Sequence, residues 1–333
     1  MGFEKESSGN RYGSSLPVPS VQELAREPNL TVPSRYLRPD HHGLSVPDDH
    51  DLHDQIPVID FHKLISAESS TASDELEKLH LYLMNITAEE VEGFGQAFVV
   101  SEQQKLDWND IFFLTTLPLH MRKPHLFPEL LSPFRENLDM YSMELKNLAM
   151  GLIGQMEKAL NVKDKEVIEL FEGGLQAIRM NYYPPCPQPE KVIGLTPHSD
   201  AGGLTILLQV SEVEGLQVKK NGVWVSVKPL PNAFIVNVGD ILEIITNGEY
   251  HSIEHRATIN SQKERLSIAT FYSPKFDGEM GPAKSLINKQ SPPKYTRLTV
   301  EEFYTGRFST ELDGKSHLES LKLQHCDDEH CKN

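Results

Sequence analysis

The sequence predicts a mainly β protein with flanking helices, folded as a jelly-roll or barrel. Three observations support this prediction. Between residues 175 and 274, short segments alternate apolar and polar residues with a period of two, as half-buried strands do. Asn-Gly pairs at 221–222 and 247–248 punctuate these segments, and Asn-Gly is a strong hairpin signal. From residue 134 to 160, apolar residues recur at steps of three and four, which predicts one long amphipathic helix.

Composition limits the classes of protein to which the chain can belong. It has 333 residues, enough to bury a large core, and a net charge of −16 without a long Lys/Arg run. Nucleic acid and anionic membranes are therefore not expected as partners. Only three cysteines occur, two of them near the C-terminus, so a disulfide framework is not expected. No membrane span or signal peptide is recognisable, and we expect a cytoplasmic protein.

The chain divides into four expected regions. Residues 1–55 are rich in Pro, Ser and His and form an N-terminal arm, with one short helix in "SVQELAREP". Residues 56–165 form a largely helical N-terminal region. Residues 166–280 hold the strands of the catalytic core. Residues 281–333 carry a C-terminal helix and a polar tail, which we expect to be frayed beyond residue 310.

The predicted elements follow in chain order. "IPVIDF" (56–61) is a buried strand, and "SDELEKLHLYL" (73–83) is a helix with Asp74 as its candidate cap. Residues 84–132 contain several Pro and Gly and are expected to be irregular, and the long helix follows them. The short strands then come in close succession: 175–183, 203–210, 215–220, 223–227, 233–239, 241–248, 251–260 and 264–274.

One His-x-Asp pair is singled out by its position. His198 and Asp200 lie at the rim of a predicted strand, where residues two apart project to the same side. The other His-x-Asp/Glu pairs lie in the polar tail. A third metal ligand must come from His255 or His251, and His251, beside a predicted turn, is the more exposed candidate. Two His and one carboxylate leave three coordination positions open, as in non-haem Fe(II) oxygenases. A lone His255 would more often be a hydrogen-bonded core histidine.

A second pair predicts an anion site. Arg265 and Ser267 share one face of the next strand, and a buried guanidinium requires an anion such as a carboxylate. The alternative is an internal salt bridge to Glu243 or Glu254. The two predicted sites together suit an acid that chelates iron at one end and is held by Arg265 at the other. A 2-oxo dicarboxylate fits this description. Two polar residues just upstream of the His-x-Asp pair are placed to add contacts: Asn181 and Tyr183.

Several segments together resemble those of the plant 2-oxoglutarate- and Fe(II)-dependent dioxygenases. These are "NYYPPCPQPE", "HSD", "GLQV", "VNVGDILEIITNGEYHSIEHRA" and "ERLSIATFYSP". Within that family the chain is most similar to the branch of SRG1-like, S-norcoclaurine synthase-like and opiate-alkaloid O-demethylase-like proteins. The resemblance covers most of the chain, since "VPSVQELA", "IPVIDF" and "LDGKSHLESLKL" also match this branch.

The resemblance implies a fold, a set of site residues and a reaction. The fold is the double-stranded β-helix, or jelly-roll, with flanking helices. The implied cosubstrates and cofactors are Fe(II), 2-oxoglutarate and O2, with ascorbate as a helper. The reaction hydroxylates, O-demethylates or desaturates a medium-sized aromatic plant metabolite and releases succinate and CO2. The protein is expected to be a monomer. The implied site residues are the iron ligands His198, Asp200 and His255; the 2-oxoglutarate binders Arg265, Ser267 and Tyr183, with Asn181 nearby; and the substrate-side residues Phe271 and Arg179, the last of which could equally be a surface residue.

One departure from the family concerns the segment after "LEKLH". Family members continue there with a strand containing Gly-Phe-Phe and Asn-His-Gly and then a helix, whereas this chain has "LYLMNITAEE" (81–90). The missing block is expected to leave a strand edge and apolar surface exposed. A folded but inactive binding protein is therefore one alternative. Others are an oxidase of the same fold that does not use 2-oxoglutarate, and metal binding by the tail "HCDDEHC" (325–331), where a solvated tail is the simpler interpretation.

Overall fold

The computed structural model describes the following residues: 15–28, 30–39, 92–96, 99–126, 132–163, 165–309 and 311–323. Its strands, in chain order, are β1 (Gly93–Gly95), β2 (Asp110–Leu117), β3 (Leu175–Tyr183), β4 (Leu195–His198), β5 (Leu204–Gln209), β6 (Leu216–Lys220), β7 (Val223–Ser226), β8 (Phe234–Val238), β9 (His255–Ala257), β10 (Arg265–Ser273), β11 (Glu279–Met280) and β12 (Leu298–Thr299). Its α-helices are α1 (Val21–Ala25), α2 (Ser132–Ala159), α3 (Ile168–Phe171), α4 (Asp240–Ile245), α5 (Val300–Phe308) and α6 (Ser316–Ser320).

Two antiparallel sheets enclose the interior in which the predicted site residues lie. The larger has six strands in the order β1-β2-β3-β10-β5-β8, and the smaller has four in the order β4-β9-β6-β7. Side chains of both sheets line one shared cavity, so the sheets face each other across it. The remaining pair, β11 and β12, forms a short ribbon beside α5.

The register of β3 and β10 decides which side chains enter that interior. Because residues two apart on a strand share a face, alternate residues of β10 project to the same side, and their cross-strand partners on β3 do so too. The inward-facing pairs are Arg265 with Tyr183, Ser267 with Asn181, Ala269 with Arg179 and Phe271 with Ala177.

The opposite face of the large sheet packs against α2. The apolar stripe of this helix supplies Leu145, Leu148 and Ile153, which lie in one buried cluster with Leu204 and Ile206 of β5. Burial of such a stripe is what stabilises a helix of this length. The sequence-based prediction of a long helix is confirmed, and so are the short α1 and the mainly β composition with flanking helices.

The two Asn-Gly pairs have different structural roles: one connects two strands, and the other ends a helix. Asn221 and Gly222 have φ values of 51° and 80° and connect β6 to β7, which confirms a hairpin there. Asn247 and Gly248 also have positive φ, 52° and 78°, but they end α4. The Gly248 amide donates to the carbonyl of Glu243, as in a Schellman helix end.

Three sequence-based expectations are wrong. Residues 241–248 were predicted to form a strand, but they lie mostly in α4, because a fully buried apolar run fits a helix as well as a strand. Residues 84–132 are not irregular throughout, since the entirely buried β2 lies within them. The segment 311–323 is packed rather than frayed: it contains α6, and Lys315 bonds to the buried Glu243.

Several other expectations fall outside the described residues. These are the strand 56–61, the helix 73–83, the departure at 81–90 and the tail cluster 325–331. Within the described ranges, no helix is long and apolar enough to span a bilayer. The monomeric state and the cytoplasmic location stay predictions.

Candidate active site

Three predicted side chains meet at one end of the smaller sheet. His198 ends β4, His255 begins β9, and the two are direct partners in the register of these strands. Nε2 of each imidazole lies near Oδ1 of Asp200, at 3.7 Å for His198 and 3.6 Å for His255. One ligand atom from each residue lies within 4.8 Å of the other two, and all three side chains are buried. The group has the composition and size of a metal site.

The orientation of the imidazoles also fits a metal. Nδ1 of His198 lies 2.8 Å from the Thr196 carbonyl oxygen, and Nδ1 of His255 lies 3.1 Å from that of Ile253. Because a carbonyl oxygen can only accept, each Nδ1 carries a proton, and this contact holds each ring with its Nε2 directed toward Asp200. Nε2 of His198 and Oδ2 of Asp200 are buried and form no hydrogen bond within the described chain. A cation bound between them would compensate for this otherwise costly burial.

The protonation states agree with that geometry. Burial is the strongest influence on the pKa of His198, positive charge on His255 acts in the same direction, and together they hold it well below its ordinary value. Burial alone would raise the pKa of Asp200, but the electrostatic influence of the neighbouring His255, His198 and Arg179 lowers it by more. At neutral pH the site therefore offers a neutral imidazole of His198 and an ionised carboxylate of Asp200.

The loop that carries Asp200 is fixed by α4 and by the C-terminal segment. The Asp240 amide donates to the Asp200 carbonyl at 2.8 Å, and the Ser199 amide donates to that of Gly314 at 3.2 Å. The Asp240 carboxyl accepts the hydroxyls of Ser199 and Ser252 at 3.0 Å and 2.6 Å. Burial raises the pKa of Asp240 to about 6, against these hydrogen bonds. Elements distant in sequence thus position one metal-site residue.

The predicted anion site lies on the large-sheet side of the triad. Arg265 and Ser267 line a small cavity together with Asn181, Tyr183 and the triad member Asp200. The Arg265 guanidinium is 3 % exposed, and its Nη2 donates to Gln209 Oε1 at 3.0 Å. Burial lowers the pKa of Arg265, but an arginine stays charged at physiological pH.

The alternative partners of Arg265 are engaged elsewhere. Glu243 accepts from Lys315, and Glu254 accepts from Lys219. Among the described residues, no carboxylate forms an ion pair with Arg265, and its Nε has no hydrogen-bond partner. The internal salt bridge that the sequence left open is therefore not formed, and the guanidinium is free to bind an anionic ligand.

A second cavity, of about 70 Å³, opens on the other side of the triad. Its wall is mostly apolar, and the rings of Phe113 and Phe271 lie 6.4 Å apart on it. Arg179 is 9 % exposed, lines both cavities, and places its guanidinium carbon 5.2 Å from the Phe271 ring centroid. The prediction of Phe271 as a pocket residue is consistent with this position, and Arg179 is an interior residue rather than a surface one.

Sequence reasoning missed most residues of this cavity, including four whose side chains come from other elements. Phe113 comes from β2, in a run of apolar and β-branched residues that indicates a buried strand. Arg307, Phe308 and Leu312 come from α5 and the segment after it. Thr299 and Glu302 form a capping box, which is a sequence signal for the start of α5. The contact between α5 and the cavity, however, depends on tertiary packing.

Comparison with known proteins agrees with this geometry. Residues 174–274 match the family described as the 2OG-Fe(II) oxygenase superfamily. The chain is 50% identical to Protein SRG1 of Arabidopsis thaliana over 359 residues, covering 96% of this chain and 100% of that protein. It is 48% identical to oxoglutarate-dependent flavonoid 7-O-demethylase 1 of Ocimum basilicum, covering 94% and 93%. The solved structure of JOX2 in complex with 2OG, Fe and JA has a TM-score of 0.77 at 33% identity, covering 93% and 99%.

The chain therefore belongs to the 2OG-Fe(II) oxygenase superfamily and has its jelly-roll fold. It is an oxidoreductase of the dioxygenase type that uses Fe(II), 2-oxoglutarate and O2 and acts on a small molecule. The predictions of family, fold class, Fe(II), 2-oxoglutarate and O2 are confirmed, and the role of ascorbate stays a prediction. The alignment with Protein SRG1 is longer than the chain itself, so that relative contains residues with no counterpart here.

Proposed function

We propose that this protein hydroxylates, O-demethylates or desaturates a medium-sized aromatic plant metabolite, with His198, Asp200 and His255 as its iron ligands. The observation that carries the proposal is the position of the buried triad between two cavities of different character. One cavity contains a buried guanidinium without an anionic partner among the described residues, and the other is walled by aromatic rings.

In this proposal the smaller cavity binds 2-oxoglutarate. Arg265 and Ser267 bind the carboxylate remote from the metal, Tyr183 contributes a hydroxyl, and Asn181 supports Ser267 through its Nδ2, 3.3 Å from the Ser267 Oγ. Bound Fe(II) supplies the activation of O2 coupled to the conversion of 2-oxoglutarate to succinate and CO2. The protein's own residues hold both reactants at fixed distances and keep water away.

The apolar cavity receives the organic substrate. Phe271 and Phe113 present ring faces and edges to it, which suits an aromatic body. Relatives named for demethylation of a flavonoid, of thebaine and of codeine support a plant metabolite of this size. Turnover confined to small aliphatic acids, in a screen that includes flavonoids and benzylisoquinoline-type alkaloids, would contradict the aromatic assignment.

The first test is spectroscopic. Fe(II) and 2-oxoglutarate are added without oxygen, and the visible charge-transfer band of the chelate is recorded. We expect the band in the parent and its loss in the His198→Ala variant. The matched control is His251→Ala, because the His251 side chain is 74% exposed and lies outside the triad. A band that survives in His198→Ala would disprove the assignment of this ligand.

A second candidate function is binding without turnover. It is favoured by the residues of Protein SRG1 that have no counterpart in this chain. Such a protein would bind iron and 2-oxoglutarate but release no succinate with any aromatic substrate. Iron-dependent succinate formation in the presence of O2 decides between the two functions.

A further inference from the structure

The apolar cavity contains two buried positive charges that the proposed reaction does not use. Arg307 of α5 is 5 % exposed, and Arg179 of β3 is 9 % exposed. Both guanidinium-bearing side chains line the same cavity as the aromatic walls formed by Phe113 and Phe271. Burial of a charge in such surroundings is unfavourable unless another group compensates for it.

Neither arginine finds that compensation within the described chain. Arg307 forms no ion pair or side-chain hydrogen bond with a described residue, and the Nε of Arg179 is buried without an acceptor. The contact of Arg179 is with the face of Phe271, which holds the guanidinium in place without neutralising it.

The neighbouring carboxylates do not take this role. Asp240 and Asp200 both attract Arg307 electrostatically. The two oxygens of Asp240, however, already accept the hydroxyls of Ser199 and Ser252, and Asp200 belongs to the triad. A cation bound at Asp200 would engage that carboxylate as well, so neither carboxylate would form an ion pair with Arg307.

Other arginines in the described part of the protein have partners that Arg307 and Arg179 lack. Arg38 forms an ion pair with Asp107 at 2.8 Å, and Arg122 forms one with Asp139 at 2.6 Å. Arg256, also buried, donates to Gln217 and stacks on Trp224 with its guanidinium carbon 4.2 Å from the ring centroid. Arg307 and Arg179 therefore differ from Arg38 and Arg122 in having no carboxylate partner among the described residues, and from Arg256 in having no side-chain acceptor there.

We infer that the organic substrate carries a carboxylate on its aromatic body, with Arg307 as the principal anchor and Arg179 as the second. This inference rests on the proposed function and narrows its substrate class. A planar guanidinium binds a carboxylate through two parallel hydrogen bonds, and the low dielectric of the cavity strengthens the attraction. The same charges repel a protonated amine, so an aromatic acid is expected to bind more tightly than a cationic alkaloid.

The test compares matched ligands that differ in charge. The holoenzyme with Fe(II) and saturating 2-oxoglutarate is titrated without oxygen, and perturbation of the chelate band gives each Kd. The probes are 4-methoxycinnamate and 1-naphthylacetate, the methyl ester of each, and 4-methoxyphenethylamine as the cation. Saturating 2-oxoglutarate occupies the Arg265 cavity, so a carboxylate probe that perturbs the band binds on the substrate side.

We expect at least one acid to bind tenfold or more tightly than its ester, and the amine to bind more weakly than both. In Arg307→Gln the acid-to-ester ratio falls at least tenfold while the Kd of the ester stays unchanged. Arg307→Lys keeps part of the preference, and Arg179→Gln reduces it. The chelate band and the Tm of each variant show that the fold and the metal site are intact.

Three outcomes would overturn the inference: equal Kd values for acid and ester in the parent, a ratio that persists in Arg307→Gln, or no binding of either acid to the chelate. The chelate band itself reports the proposed function. Its absence from the parent would refute the iron and 2-oxoglutarate assignment, which is distinct from a failure of the charge preference.

Discussion

At the scale of single residues, buried polar atoms without partners mark the site. The metal triad leaves Nε2 of His198 and Oδ2 of Asp200 unsatisfied, and the anion cavity leaves Nε of Arg265 unsatisfied. Most buried polar groups in native proteins are hydrogen-bonded, so a cluster of exceptions indicates ligands. The same reasoning applies to Arg179, whose buried Nε has no acceptor among the described residues.

One prediction at this scale concerns Arg265. Arg265→Gln removes the charge that we assign to the distal carboxylate of 2-oxoglutarate, which costs about 1.5–3 kcal/mol of binding. The concentration of 2-oxoglutarate at half-maximal chelate absorbance should therefore rise at least tenfold. Arg26→Gln is the control, since Arg26 is exposed at the end of α1. An unchanged half-saturation in Arg265→Gln would remove this residue from the 2-oxoglutarate site.

A second prediction concerns metal content. Asp200→Ala should reduce bound iron from about one atom per chain to background, because the site loses the carboxylate that balances the charge of the metal. Iron is counted by inductively coupled plasma spectrometry after gel filtration. Deletion of residues 324–333 should leave the content unchanged. A large fall in that deletion variant would instead assign metal to the tail cluster.

At the scale of secondary-structure elements, the entry to α4 holds the metal-site loop. A Cβ placed on Gly239 would overlap the Gly202 carbonyl oxygen and lie 3.0 Å from that of Asp200. The Gly239 amide also donates to Gly203 at 2.9 Å. The loop and the helix therefore approach each other more closely than a side chain would allow.

Gly239→Ala is accordingly expected to destabilise the fold by about 1–3 kcal/mol, as overpacking does, and to weaken iron binding. The matched control is Gly151→Ala on the exposed side of α2, where a Cβ meets nothing within 4 Å. That change should stabilise the protein by about 0.5–1 kcal/mol because alanine restricts the unfolded chain. Urea unfolding measures both, and equal effects would contradict the close-approach argument.

Prediction from sequence succeeded where local patterns decide the element. The stripe of α2 and the alternation of β3 and β10 are local, and so is the Asn221-Gly222 hairpin. It failed at α4 and β2, where continuous apolar runs carry no period and only the neighbours decide between helix and strand. The same limit hid Arg307, whose place in the cavity depends on how α5 packs.

At the scale of the whole molecule, the buried Glu243 links the C-terminal segment to the core. Its carboxylate accepts from Lys315 Nζ, from the Tyr295 hydroxyl and from the Ser252 amide, at 2.8, 2.8 and 2.6 Å. Burial alone would raise the pKa of Glu243, but these hydrogen bonds outweigh it and lower the pKa to about 2. The segment 311–323 is held by this carboxylate as well as by its backbone bonds.

This gives a prediction for acid stability. A carboxyl whose pKa is lowered by folding stabilises the protein fully above its unfolded pKa and loses that effect as pH falls toward its folded pKa. The difference in free energy of unfolding between the parent and Glu243→Gln should therefore be largest above about pH 5 and shrink as pH falls toward 3. Urea titrations at several pH values measure it, with the exposed Glu301→Gln as control. A difference independent of pH would contradict the pKa assignment.

The internal departure from the family gives a prediction at the same scale. Leu119, Met140 and Met143 are exposed apolar side chains near β2 and on α2, with exposures of 64, 61 and 46%. Replacing residues 81–90 with the strand and helix that the family resemblance implies at this place should raise the soluble yield and the Tm, because a missing block is expected to leave apolar surface uncovered. No gain in either quantity would contradict the expectation that a block is missing at this place.

The sequence by itself determined the mainly β core and the long helix, and it predicted the metal and 2-oxoglutarate residues, because these depend on strand periodicity and on short motifs. Only the tertiary structure decided which buried charges find partners. His198, Asp200 and His255 converge through the pairing of β4 with β9, and Arg307 reaches the substrate cavity through the packing of α5. Whether a buried charge is compensated depends on groups distant in the chain, and this is why the inferred acidic substrate could not be read from the sequence.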